Sequence, residues 1–147
     1  MKRLGKIMKP LHATEQSKHP VVSARVFISC GQRKETIEAR IAGVIKNKLT
    51  KLGYTPYVAT QEQTLDGIKE NIFRRLQNSE YFLFIDFKRE RLCTERGEAY
   101  RGSLFSHQEL ALASYLNKPV KAFQEKGVKP HDGLIGFLQT NPISGVR

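Results

Sequence analysis

The chain has no tryptophan and only two cysteines among its 147 residues. Cys30 and Cys93 lie far apart, with no C-x-x-C and no His-rich spacing beside them, so the sequence encodes neither a zinc site nor a disulfide framework. No apolar run approaches the roughly 20 residues that span a bilayer, and the first residues lack the apolar core of a secretory signal. A reduced cytoplasmic setting, with no membrane and no metal, is the expectation. The phosphate-cradling G-x-G-x-x-G and G-x-x-x-x-G-K-[ST], the nucleophile elbow G-x-S-x-G and the zinc motif H-E-x-x-H are all missing. No resident cofactor is signalled. The four histidines, His12, His19, His107 and His131, are scattered without evident carboxylate partners and read as solvated surface residues.

What is present begins with positive charge, a formal net of +11. Nearly half of it sits at one end: Lys2, Arg3, Lys6, Lys9, Lys18 and Arg25 face only Glu15 in the first 25 residues, a net of +5. Residues 1–24, with Pro10, Pro20 and Gly5, show no sustained period and read as a flexible basic leader. A mitochondrial-type presequence competes with that reading, but the prolines interrupt a long amphipathic helix. Beyond the leader, acids and bases interleave, notably from Lys69 to Arg101, as on a solvated helix face. No basic cluster there alternates with exposed aromatics, so specific nucleic-acid binding is not expected, whereas nonspecific attraction to polyanions at low salt is.

From Arg25 onward, short β-rich runs alternate with helical ones. Strands are expected at Arg25 to Cys30, Tyr54 to Ala59, Tyr81 to Asp86 and Pro119 to Phe123, with a short last one near Pro142 and Ile143. Ile37, Ile41, Val44, Ile45, Leu49 and Leu52 form a one-face helical stripe closed by Gly53. Ile68, Ile72 and Leu76 repeat every four residues in a second helix. A third begins at Ser106 and carries Leu110, Ala113 and Leu116, and a weaker fourth covers Asp132 to Leu138. The alternation predicts an α/β fold over residues 25–147: a flavodoxin-like three-layer sandwich with a five-stranded, mainly parallel sheet of order 2-1-3-4-5. Ligands of such sheets bind beyond the carboxyl ends of the strands where the order reverses, here between strands 1 and 3. Residues 29–33 and 87–106 should border that crevice, and Glu109 opens the helix that follows.

Glu109 has two readings. Ser106-His107-Gln108-Glu109 fits S-x-x-E, a capping box in which the carboxylate only ties off a helix end. Its place beside the crevice makes it the candidate catalytic carboxylate instead, and a helix N-terminus would bias it towards the ionised form. Ser29 and Arg33 follow strand 1 and are candidates to face the crevice, although Ser29 also fits a packed strand end.

Phe27-Ile28-Ser29, then Gly67-Ile68, Ile72, Leu76 and Ser79 before an apolar strand, then Ser103-Leu104-Phe105-Ser106-His107-Gln108-Glu109-Leu110, resemble in order and spacing the TIR (Toll/interleukin-1 receptor) domain family. The family's usual S-x-W-C-x-x-E-L is matched at Ser103, Glu109 and Leu110, while Phe105 replaces the Trp and Ser106 the Cys. The resemblance covers Arg25 to about Ile143. It implies an NAD⁺ nucleosidase that cleaves the nicotinamide–ribose bond to ADP-ribose or a cyclised product, in antiphage or innate immune signalling, with NAD⁺ as substrate. Glu109 would be catalytic, with Phe27, Ser29, Arg33, Gly67, Ser103 and Phe105 around the substrate. Residues 60–67 would correspond to the loop that covers the cleft and joins protomers, so homo-oligomers or other TIR domains are the implied partners. Two alternatives stand beside it: a non-enzymatic TIR interaction module, and an enzyme like the nucleoside deoxyribosyltransferases, fold relatives that also use a Glu on N-glycosidic bonds.

Overall fold

The computed structural model describes residues 23–31, 33, 36–59, 64–95, 97–130 and 133–136. The first strand, β1 (Arg25–Cys30), is buried from its second residue to its last. Its two faces feed two cores. Val26, Ile28 and Cys30 pack with Ala42, Ile85 and Phe87 on one side, and Phe27 packs with Ile72, Leu76, Phe82, Phe84 and Leu110 on the other. A strand buried on both faces is what a parallel sheet covered by helices requires.

Helix α1 (Ile37–Lys51) lies over the first face, with Ala42 buried and Ile41, Ile45 and Leu49 partly covered. The stripe is narrower than its spacing predicts, because Ile37, Val44 and Leu52 are exposed. The helix ends where expected: Gly53 takes a positive φ of 88°, a left-handed conformation that costs a Cβ-bearing residue more. Strand β2 (Thr55–Val58) then pairs in parallel with β1.

The next helix is wound in two ways. α2 (Leu65–Gly67) opens under a Thr64 cap whose hydroxyl accepts from the Gly67 N–H, a six-residue π-helical stretch (Ile68–Phe73) follows, and α3 (Arg74–Gln77) completes 65–77 as one continuous rod. The Arg74 N–H reaches back five residues to the Lys69 carbonyl. Through this change of winding, Ile72 and Leu76 are still delivered to the core, 1% and 0% exposed.

Strand β3 (Tyr81–Asp86) pairs in parallel with β1 on one side and with β6 (Val120–Gln124) on the other. The parallel sheet runs β2-β1-β3-β6. This is the flavodoxin-like order for its first four strands. The fifth strand expected near Pro142 lies outside the described residues, as do the basic leader through residue 22, residues 60–63 of the expected cleft-covering loop, and both ends of the fourth helix, of which Gly133–Gly136 forms a short 3₁₀ turn.

One element departs from expectation. The interleaved charges after β3 belong not to a helix face but to an antiparallel hairpin, β4 (Glu90–Thr94) with β5 (Gly97–Arg101). Its acids and bases pair across the strands, Arg91 with Glu98 and Arg101 with Glu90. Helix α4 (Leu104–Tyr115) follows and lies against β1 and β3, on the face that also carries 65–77. No helix among the described residues is long and apolar enough to cross a membrane.

Candidate functional site

The helix that carries Glu109 starts earlier than the S-x-x-E pattern predicts. Ser103 is the N-cap of α4, and its hydroxyl accepts from the Ser106 N–H at 3.4 Å. Ser106 lies inside the first turn and is buried, so no capping box forms between it and Glu109. Glu109 instead sits more than a turn into the helix, where the N-terminal dipole has faded.

What surrounds the carboxyl is the sheet. Ser29, the fifth residue of β1, points to the α4 side and is fully buried, and its Oγ donates to Glu109 Oε2. Glu109 itself is only 3% exposed, and its other oxygen, Oε1, accepts no hydrogen bond from the described residues. Burial pushes the Glu109 carboxyl up to about 7, with the Ser29 hydroxyl pulling the other way. The expected bias towards a permanent carboxylate is therefore reversed. Desolvation outweighs the single hydrogen bond from Ser29.

One side of Glu109 opens on a cleft of about 510 Å³ between α4 and the 65–77 helix. Phe105, Gln108, Glu109 and Leu112 supply one wall, a spacing of three, four and seven residues that puts them on one helical face. Leu65, Ile68, Ile72 and Phe73 supply the other. The cleft is of ordinary size for a small-molecule site and is almost wholly apolar. In such surroundings a lone carboxyl interacts strongly with any positive charge that develops beside it.

The residues singled out from sequence fall into three groups. Glu109 and Phe105 line the cleft, with Ser29 buried behind Glu109 and bonded to it, and Phe105 serves as wall and as partner of the core at once. Phe27 and Ser103 lie nearby but do other work. Phe27 is fully buried, stacked on Phe82 with ring centroids 5.6 Å apart, and Ser103 caps α4 against Gly31, where a Cβ would come within 2.5 Å of the Ser103 Cβ. Arg33 and Gly67 are not among the residues that line the cleft. Arg33 binds Glu38 at 3.2 Å, and Arg89 reaches the other oxygen of that buried carboxylate at 3.2 Å while donating to the Gly31 carbonyl. Gly67 lies at the end of α2, beside the lining residue Ile68.

A second polar cluster went unread in the sequence. Asp86 ends β3, is 1% exposed, and its Oδ2 accepts from Gln124 at 3.1 Å and faces His107 Nε2 at 3.2 Å. His107 is thus no solvated surface histidine. Its ring also meets Phe84 edge-on at 5.2 Å. Gly102 leaves the room for this carboxylate, since a Cβ there would stand 1.5 Å from Asp86 Oδ1. The available signal was an acidic residue closing the most apolar strand, followed after a loop by a glycine and a histidine. Among the described residues, no group of three His, Cys, Asp or Glu side chains is placed to hold a metal ion.

No family model matches the sequence. No curated protein matches it either. In three dimensions the chain is similar to a 2-deoxyribosyltransferase of the psychrotolerant bacterium Bacillus psychrosaccharolyticus, with a TM-score of 0.53 and 13% identity, over 72% of this chain and 76% of that one. At that identity the likeness establishes the shared α/β fold, a mainly parallel sheet flanked by helices.

Proposed function

We propose that this chain acts on the N-glycosidic bond of a nucleoside or nucleotide, with Glu109 as the group that meets the anomeric carbon, and that its reaction is transfer of a 2-deoxyribosyl unit between bases. The observation that carries the proposal is Glu109 itself: one oxygen held by Ser29, the other without a partner among the described residues, on the wall of an apolar cleft. A fold shared with a 2-deoxyribosyltransferase supports it. The Glu109 carboxylate attacks C1′ as the C1′–N bond breaks, forming a glycosyl ester. The departing base keeps the electron pair and takes a proton from solvent at the open cleft. A second base then attacks C1′ with a ring nitrogen, loses its proton, and releases the carboxylate. Transition-state charge on the sugar falls beside Glu109, where little competes for it.

A second reading, NAD⁺ cleavage by a TIR-type enzyme, has its own support. Apart from Glu109, the described cleft-lining residues include no acid that could protonate a departing base. Nicotinamide leaves NAD⁺ as a neutral ring and needs none, so a single carboxylate suffices. On that reading the protein would assemble with itself or with other TIR domains.

One experiment separates them. Purified protein and the Glu109→Ala variant are each incubated with a 2′-deoxyribonucleoside plus a different free base, and separately with NAD⁺. Base exchange dependent on Glu109 supports transfer; nicotinamide release without exchange supports the second reading. Neither product from folded protein removes both.

A further inference from the structure

Among the described residues that line the cleft, one side chain besides Glu109 has hydrogen-bonding capacity, Gln108. Its neighbours on both walls are Leu65, Ile68, Ile72, Phe73, Phe105 and Leu112, none of which can donate or accept through the side chain. Gln108 is exposed, and no described residue is seen to occupy its amide. It directly precedes Glu109 and lies three residues after Phe105 on the same helical face. An aromatic ring placed against Phe105 and Leu112, with its sugar carbon at Glu109, would therefore present its edge to this amide.

We infer that Gln108 reads the leaving group: the cleft takes an aromatic heterocycle whose edge carries a hydrogen-bond donor next to an acceptor, and the Gln108 amide pairs with both. The inference deepens the N-glycosidic reading of the site and rests on it for its catalytic meaning. An amide offers a carbonyl acceptor and an N–H donor side by side, a match for an amino group adjoining a ring nitrogen, or for a ring carboxamide. Because the amide can turn over, it accepts an amino–imino edge or a keto–imino edge equally well. The class is thus broad in base identity but strict in one respect, since a ring with no exocyclic donor or acceptor leaves the amide half satisfied in an apolar cleft.

The test compares two free bases as probes, adenine and unsubstituted purine, which differ only in the exocyclic amino group. Affinities are measured by titration against the wild-type protein and Gln108→Met, which keeps length and removes the hydrogen bonds. The wild type should bind adenine about 3- to 10-fold more tightly than purine, the worth of one neutral hydrogen bond. Gln108→Met should bind the two equally, with the larger loss falling on adenine. An unchanged adenine preference in the variant, or no binding of either base to the wild type, overturns the inference. If Gln108 sets the preference but neither a 2′-deoxyribonucleoside nor NAD⁺ is cleaved, the base site stands and the catalytic reading falls. Where turnover is seen, Gln108→Met should raise KM for aminated bases and leave kcat near its wild-type value.

Discussion

Ser29 and Glu109, separated by 80 positions in the chain, meet through a buried hydrogen bond between β1 and α4. That single contact ties the helix to the strand at which the sheet order reverses. It also leaves the carboxyl half satisfied, which connects the fold's stability to the site's protonation.

The first consequence is a pH-dependent cost. Glu109 is raised in the folded state from an ordinary 4.5 to about 7, so between those values the folded protein binds a proton that the unfolded chain releases. Stability from this group is complete below about pH 4.5 and is lost as pH rises through 7, a difference of about 3 kcal/mol. Glu109→Gln should therefore melt several degrees above wild type at pH 8 and near it at pH 4.5. Thermal unfolding at the two pH values checks this, and an equal shift at both would show that the carboxyl is not desolvated.

Catalysis should follow the opposite slope. If the ionised Glu109 is the reacting form, kcat/KM rises with pH through about 7. Ser29→Ala removes the donor that favours the carboxylate, so the rising limb should move to higher pH, with activity recovering on the alkaline side. A pH–rate profile of the two proteins reads the shift directly. A loss of the same size at every pH would mean that Ser29 acts by packing alone.

Gly102→Ala should be severe. The added methyl would stand 1.5 Å from a carboxylate oxygen of Asp86, and Asp86 is fixed by Gln124 and His107. Overpacking of this kind costs about 1 to 3 kcal/mol and sometimes more. Urea unfolding should place the midpoint well below wild type.

His107→Ala removes a partner from a buried carboxylate and an edge contact from Phe84. A loss of about 1 to 3 kcal/mol is expected, because Asp86 stays buried with one donor fewer. Replacing a histidine on the surface would cost far less, so the same unfolding measurement distinguishes the two settings.

These residues also mark how far the sequence could be read. Arg25 to Cys30 and Tyr81 to Asp86 were recoverable to the residue, because continuous apolar runs between turn signals have few other uses in a chain of this kind. The hairpin was not. Glu90 to Arg101 carries charges of both signs and little apolar patterning, and local composition does not distinguish a helix face from two short strands whose charges pair across. The start of α4 failed for a related reason: Ser103 and Ser106 each stand three residues before a plausible partner, and only the packing of Ser106 into the interior decides between them. His107 and Asp86, 21 positions apart, meet through tertiary structure alone. Topology put the pocket between residues 29–33 and 87–106, but of the described residues there only Phe105 lines the cleft, whose walls are α4 and 65–77. Nor was the protonation of Glu109 legible, since that depends on how completely β1 covers it.

The π-wound stretch Ile68–Phe73 sets a further constraint, on chain length. Upstream of it Leu65 faces the cleft, and downstream Leu76 is sealed in the core. A π-wound turn carries about one residue more than an α-turn, so this stretch takes up one extra residue while Leu65 stays on the cleft and Leu76 stays in the core. Deleting one residue here should relax the winding to α and leave both sides in place. The same deletion in the α-wound ends of 65–77 should rotate one of them away.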